Sequence, residues 1–303
     1  MKTGIGYGTY KVFLDELLKA LNDDFGEGTI LSFALFGSVA RGEARPDSDI
    51  DLLIVHKPID FNVWERYKKA FGGLSKCDEY CKLKTKGLDP HPNEILLTEE
   101  QLYEPRLIFL DIYDHGIIIY DNGVLKKRFE SLGTKLKEFG SKKVILCDGT
   151  YYWDIKPNWQ FGEFIQVVNN YENAERKIYQ AKYIYDELVK NYNNGYWNIV
   201  IRRAQEVFEL YIRALLIMMC VEYPKSHDVG TVFARVCNER KLNIDSNILI
   251  RITEISKDLA KKRSPAFYME EIYTQEEAEK AKADAEFVMN FAEALSVKLK
   301  GNL

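Results

Sequence analysis

The sequence predicts an α+β protein, with strands and helices mixed in the first half of the chain and an all-α antiparallel helical bundle in the second. Three observations lead there. Up to about residue 120, compact apolar runs bounded by turn-forming residues alternate with amphipathic stretches. From about Phe164 onward, almost every stretch repeats its apolar residues at helical spacing. The joints between those later stretches are short, which favours antiparallel neighbours and a bundle of four or five helices. At 303 residues, and with roughly 150 residues per domain, two domains are expected.

The first element is a helix, Tyr10 to Leu21, with Val12, Phe13, Leu17, Leu18 and Leu21 on one face and a polar, Gly-containing stop over 22–28. Thr29 to Phe36 (TILSFALF) and Ile50 to Val55 (IDLLIV) are short apolar runs whose length fits buried strands. Glu94 to Thr98 (EILLT) is a third, shorter strand. Ile108 to Tyr120 reads as a helix ending near Gly116, then a β-branched strand over Ile117 to Tyr120. These elements make a first domain over residues 1–122. Residues 123–160 begin with a charged helical segment, pass into CDGTYYWDIKPNWQ and read as a structured linker. The bundle occupies 161–303: a long amphipathic helix from Phe164 to Leu188, then Trp197 to Val221, Val229 to Glu239, Asp245 to Arg263 and Gln275 to Lys300.

Charge and composition narrow the function classes. Lys plus Arg number 42 against 46 Asp plus Glu, a net charge of −4, so the bulk charge gives no drive toward nucleic acid or an anionic membrane. With 46% hydrophobic and 29% charged residues, the chain is too apolar for disorder and too charged for a membrane protein. The longest apolar run, Ala214 to Val221, is under half of the roughly 20 residues that span a bilayer, so no membrane association is expected. The start, Met1 to Tyr10, lacks the basic-then-apolar pattern of a secretory signal. Five cysteines, with only Cys77 and Cys81 close together, read as free thiols of a cytoplasmic protein.

The stretch that carries chemistry is Phe36 to Val55, FGSVARGEARPDSDIDLLIV. Strand side chains alternate faces, so Asp49 and Asp51 share one side while Ile50 takes the other. Two carboxylates side by side at the head of an apolar strand persist most readily with a cation between them. Magnesium suits such a pair, because it prefers oxygen ligands and is commonly shared between carboxylates and substrate phosphates. Gly37 lets the backbone after the first strand approach a phosphate, and Ser38 adds a hydroxyl donor. A short helix over Val39 to Gly42 would turn its amino end to the anion, and Arg41 would pair with a phosphate oxygen.

Gly37-Ser38, Arg41-Gly42 and Ser48-Asp49-Ile50-Asp51 together resemble the Gly-Ser to Asp-x-Asp signature of the DNA polymerase beta-like nucleotidyltransferases, particularly their minimal prokaryotic members. The resemblance implies a small mixed β-sheet flanked by helices, two Mg2+ ions, and transfer of a nucleoside monophosphate from a nucleoside triphosphate to an acceptor hydroxyl with release of pyrophosphate. It implies phosphate contacts from Gly37 and Ser38 and metal ligation by Asp49 and Asp51, and Arg41 and Ser48 complete the expected nucleotide-binding residues. It further implies a third carboxylate on a neighbouring strand, for metal or for the acceptor proton. Glu94 is the choice made for that role, with Glu99, Glu100 and Asp111 as alternatives.

The second half is similar to HEPN domains, in its helical order, in RRAQEVFELYIRALLI, in PKSHDV (224–229), and in the KKRSPAFY segment before an alanine-rich last helix. The whole layout is similar to that of kanamycin nucleotidyltransferase. Many HEPN domains are ribonucleases with an Arg-x-x-x-x-His motif, and this sequence departs from it: His227 is the only histidine of the second half, and no arginine stands at the required spacing. His227 with Asp228 reads as a helix-capping pair. The alternatives to nucleotidyl transfer are a nucleotide-binding regulatory or antitoxin-like module with decayed chemistry and, third, a ribonuclease. The acceptor is a small molecule, a protein or an RNA end. A site at the domain junction and a homodimer are further expectations. Of the basic clusters, Lys261-Lys262-Arg263 with Phe267 and Tyr268 nearby is the best placed to grip a phosphate.

Overall fold

The computed structural model describes residues 4–59, 62–147, 149–223 and 227–301. The chain divides into two compact units, 1–134 and 135–303. In the first, α1 (Tyr7–Phe25) buries Tyr10, Phe13, Leu14, Leu17, Leu21 and Phe25, a stripe at three- and four-residue spacing. Val12, expected on that face, is exposed, because the stripe runs through residues 10 and 14 instead. The helix stops at Gly26, whose φ of +96° a side chain would disfavour.

Strand β1 (Ile30–Phe36) is buried along its whole length. It runs directly into a short helix, α2 (Gly37–Arg41), which starts two residues before the expected Val39. Strand β2 (Ile50–His56) returns antiparallel to β1, with Phe36 opposite Asp51. Then come α3 (Val63–Leu74) and α4 (Asp78–Thr85), leading to β3 (Pro92–Thr98), which lies parallel to β2. The sequence reading contained neither helix, yet a parallel pair requires a crossover of this kind. Asn62 caps α3 by accepting from the Trp64 amide at 3.0 Å.

After β3, α5 (Glu99–Leu102) is a single turn held by a Thr98–Gln101 capping box. Helix α6 (Ile108–His115) ends at Gly116, and β4 (Ile117–Asp121) pairs with the free side of β1. The sheet is therefore mixed, in the order β3-β2-β1-β4. One face, with Phe33, Leu35, Ile50, Leu52 and Ile54, packs into a core shared with α1, α3 and α4. On the other side, α6 lies against β1 and α2. Asp121 closes β4 and starts α7 (Val124–Glu138), accepting from the Leu125 and Lys126 amides at 3.1 Å each.

The second unit holds more than helices. Strands β5 (Lys142–Ile145) and β6 (Tyr151–Asp154) fall within the stretch expected as a linker. They form a three-stranded antiparallel sheet with β7 (Val221–Glu222), which lies between α9 (Trp197–Met218) and α10 (Gly230–Glu239). Around α9 pack α8 (Asn170–Asn193), α11 (Ser246–Tyr268), α12 (Gln275–Leu299) and α10. Most of α9 is buried, including Gln205 and Glu209. Among the described residues no helix is long and apolar enough to cross a membrane.

Three of the helix boundaries that differ from the periodic pattern have a local cause. Helix α8 begins at Asn170 rather than Phe164, because Asn170 is committed to the turn before it. Its Oδ1 accepts from the Ile165 amide at 2.9 Å, and its Nδ2 donates to the Glu163 and Met218 carbonyls at 3.1 and 2.9 Å. Helix α9 ends before Val221 because Cys220 adopts a left-handed φ of +57°. Helix α11 runs through Pro265 to Tyr268: proline removes a donor, but its carbonyl still accepts from Glu270 at 3.0 Å in the closing turn.

Asn170 is completely buried, and its three hydrogen bonds tie the approach to α8 to the last carbonyls of α9. Asn170→Ala strands those groups and is expected to cost about 1–3 kcal/mol in urea unfolding followed by circular dichroism. A loss within the roughly 0.5 kcal/mol typical of surface substitutions would show that the polar tie carries no weight.

Candidate active site

The site is built where β1 ends, α2 begins and β2 starts. Gly37 is buried with a φ of +73°, and a Cβ built on it would fall 1.9 Å from Asp51 Oδ2 and 2.8 Å from Asp51 Cγ. The Asp51 carboxylate is thus seated directly on the backbone of Gly37, an approach only glycine permits. Its other oxygen, Oδ1, accepts from Asn93 Nδ2 at 2.8 Å. One residue before β2, Asp49 is exposed, Asp51 is half-buried and Ile50 between them is fully buried. Burial alternates as a strand requires, with both acids away from the core.

Ser38 is half-buried in the first turn of α2, and its carbonyl accepts from Glu43 N at 2.9 Å as the chain leaves the helix. Ser48 serves its own loop: its hydroxyl accepts from the Arg45 amide at 2.8 Å, and its amide donates to the Arg45 carbonyl at 3.1 Å. Arg41, expected on a phosphate, donates through Nη1 to Asp111 Oδ1 at 3.2 Å and through Nε to Glu43 at 3.2 Å. Asp111 is only 1% exposed, so this pair joins α2 to α6 as a buried ionic link.

Glu94 is on the strand where it was expected, but not on the acid face. Parallel register pairs Asp51 with Asn93 and Leu52 with Glu94. Asn93 therefore shares a side with Asp51, and Glu94 turns to the opposite one, with Leu52 and Tyr67. Burial raises the Glu94 carboxyl above its ordinary value, an effect partly offset by Tyr67, His91 and Lys68. Glu99 and Glu100 open α5 at the far end of β3. Sequence reasoning missed Asn93, whose only signal is its parity along β3, and the bond between Arg41 and Asp111.

Asp49 and Asp51 are the residues that could hold a divalent cation, whose preference is for oxygen ligands. Among the described residues, no group of three or more His, Cys, Asp or Glu side chains is arranged to hold a metal ion. The expectation of two ions thus meets a structure in which the neighbour of Asp51 on β3 is an amide donor rather than a third acid.

In the second unit, His227 Nδ1 lies 2.9 Å from Glu209 Oε2, and Gln205 and Arg213 also bind that carboxylate. Burial works to raise the Glu209 carboxyl, but the His227 hydrogen bond and the Arg213 charge hold it below its ordinary value. Asp228 lies just before α10, whose N-cap is Val229, with Oδ2 accepting from Thr231 Oγ1 at 2.9 Å and Oδ1 accepting from Ser256 Oγ at 2.7 Å. Residues 224–226 of the PKSHDV segment lie outside the described residues. In the basic cluster, Lys262 pairs with Asp258 at 2.9 Å, and Arg202 stacks 4.4 Å from the centre of the Phe267 ring.

The raised Glu94 carboxyl has a stability signature. Between the ordinary 4.5 and the raised folded value, the unfolded chain ionises while the folded one keeps its proton, so this group lowers stability as pH rises through that window. Glu94→Gln is expected to flatten that decline and to unfold no more easily than wild type at pH 7. Urea unfolding across pH 4 to 7 reads this, and an unchanged slope would contradict the placement of Glu94.

Residues 14–108 match the family model for a nucleotidyltransferase domain, and residues 174–295 match that for a HEPN domain. A search of curated proteins gave no match. Among solved structures, the chain is similar to one described as "Crystal structure of the toxin-antitoxin with AMP-PNP". The identity is 17%, over 42% of this chain and 91% of that one, with a TM-score of 0.26. A likeness that loose bears on neither fold nor function. With the mixed sheet and acid pair in one unit and the helical bundle in the other, the chain carries an N-terminal nucleotidyltransferase domain and a C-terminal HEPN domain.

Proposed function

We propose that the first unit is a metal-dependent nucleotidyltransferase. The observation that carries the reading is the seating of Asp51 on Gly37, which brings the turn after β1 and the acid pair of β2 into one place. Asp49 and Asp51 hold a divalent cation, magnesium by donor chemistry, and the backbone at Gly37 and Ser38 receives the phosphates of a nucleoside triphosphate. The cation supplies charge neutralisation on the polyphosphate. An acceptor hydroxyl oxygen forms a bond to the α-phosphorus, the bond from that phosphorus to the bridging β-oxygen breaks, and pyrophosphate departs with the electron pair. The acceptor proton passes to solvent. Arg41, bound to Asp111 and Glu43, holds α2 in place. The acceptor is a small molecule, a protein or an RNA end, and a homodimer remains part of the proposal.

A second reading, a nucleotide-binding regulatory module without turnover, draws on Asn93, which puts an amide where a proton-accepting carboxylate would have served.

Incubation with α-labelled nucleoside triphosphates and magnesium distinguishes the two. Transfer is expected to release pyrophosphate and move label onto an acceptor, and Asp51→Asn is expected to abolish it. Gly37→Ala, which forces Asp51 off its seat, should reduce transfer by at least about 100-fold while the fold persists. Nucleotide bound tightly with no pyrophosphate released selects the second reading. Full activity in Asp51→Asn overturns the first.

A further inference from the structure

We infer that Asn93 limits the acid site to a single divalent cation, by filling the one strand position from which a third ligand would reach Asp51 with a hydrogen-bond donor. The inference deepens the reading of Asp49 and Asp51 as a cation-binding pair and rests on it. Strand pairing makes it specific. Neighbouring strands lie roughly 4.8 Å apart, so a side chain can share an ion with Asp51 across the sheet only if it stands opposite and on the same face. On β3 that position is residue 93, whose Nδ2 lies 2.8 Å from Asp51 Oδ1.

An amide nitrogen carries hydrogens and no lone pair for a metal. A cation placed on Asp51 Oδ1 would meet the positive end of that N–H, so the oxygen facing β3 is taken. With no nucleotide bound the charge balance agrees: Asp49 and Asp51 together carry two negative charges, which match one divalent ion, and a second ion about 3.5–4 Å from the first would have only the polyphosphate to hold it.

The other acids expected to help are placed elsewhere. Glu94 faces away with Leu52. Glu99 is six residues beyond Asn93, roughly 20 Å along the strand direction. Asp111 is buried against Arg41.

The test counts ions. Mn2+ is titrated into the full chain, alone and with a non-hydrolysable adenosine triphosphate analogue, and bound metal is read from the loss of the free-ion electron paramagnetic resonance signal. Wild type is expected to bind one Mn2+ at the site, and Asn93→Asp two. Asn93 is exposed, so the aspartate is expected to fold, which circular dichroism checks. Asn93→Ser is the second variant: it removes the amide donor and adds no charge, and should keep one ion bound about three- to tenfold more tightly as Asp51 Oδ1 is released.

Two ions in wild type, one ion in a folded Asn93→Asp, or weaker binding in Asn93→Ser overturns the inference. The last would make Asn93 a supporter of the ion through its own oxygen. Asp51→Asn controls for ions bound elsewhere: a count that this substitution leaves untouched removes the cation-binding reading and the inference with it. The expected ion counts without any transfer of label leave the inference standing and remove only the transferase activity.

Discussion

The contact between the Asp51 carboxylate and the bare backbone of Gly37 is the constraint on which the candidate site depends. It joins two elements that the chain separates by a loop, the turn leaving β1 and the first residues of β2. A left-handed φ already favours glycine at position 37, and the carboxylate occupying the space of a Cβ makes the preference steric as well. The same contact fixes the direction of the carboxylate, with one oxygen over Gly37 and the other toward β3. Antiparallel pairing of Phe36 with Asp51 supplies the register that this contact needs, so the buried sheet is what places the chemistry.

The sequence showed the site motif more fully than it showed the sheet around it. Strands β1 and β2 are short, apolar and almost wholly buried, and β4 is a short β-branched run, so all three are legible without knowledge of their neighbours. The acids of β2 were legible for the same reason, since a buried Ile50 between two aspartates admits one arrangement. What alternation along one strand does not contain is the register between strands. Glu94 was chosen as the first acid of an apolar run, and its strand is real, but facing is decided by the pairing of Asp51 with Asn93. A shift of one residue would exchange the two side chains.

In the second unit the helices were legible from their stripes, as were the starts of α9 and α12 and the end of α10, but the start of α8 and the end of α9 were not, because those ends depend on particular polar groups. Asn170 spends its whole side chain on the turn before α8 and on a carbonyl at the end of α9, which delays the helix beyond the apolar pattern. Arg240 acts at the same end of α9: it is almost fully buried, donates to the Met219 carbonyl, and meets Asp154 of β6 at 2.6 Å. The small sheet escaped the sequence reading because β7 contributes only two residues, too few for any periodic signal. Terminal carbonyls of a buried helix need partners, and here the partners come from residues 48 before and 21 after in sequence.

Arg41 shows how the same logic bears on nucleotide binding. As the basic residue beside the Gly-Ser turn, it was the natural partner for a phosphate, and a guanidinium suits that role. The fold instead engages it with Asp111, which is buried, so that moving the arginine would give up a buried ionic link. Drawing Arg41 to a phosphate would therefore cost the stability of the link between α2 and α6, and α2 carries the very turn proposed to receive the phosphates. On the proposed reading, the positive charge that offsets the polyphosphate must then arrive mainly with the divalent ion rather than from this side chain. On that reading the acid pair would serve nucleotide binding as well as reaction, and the single ion inferred from Asn93 would bear on both.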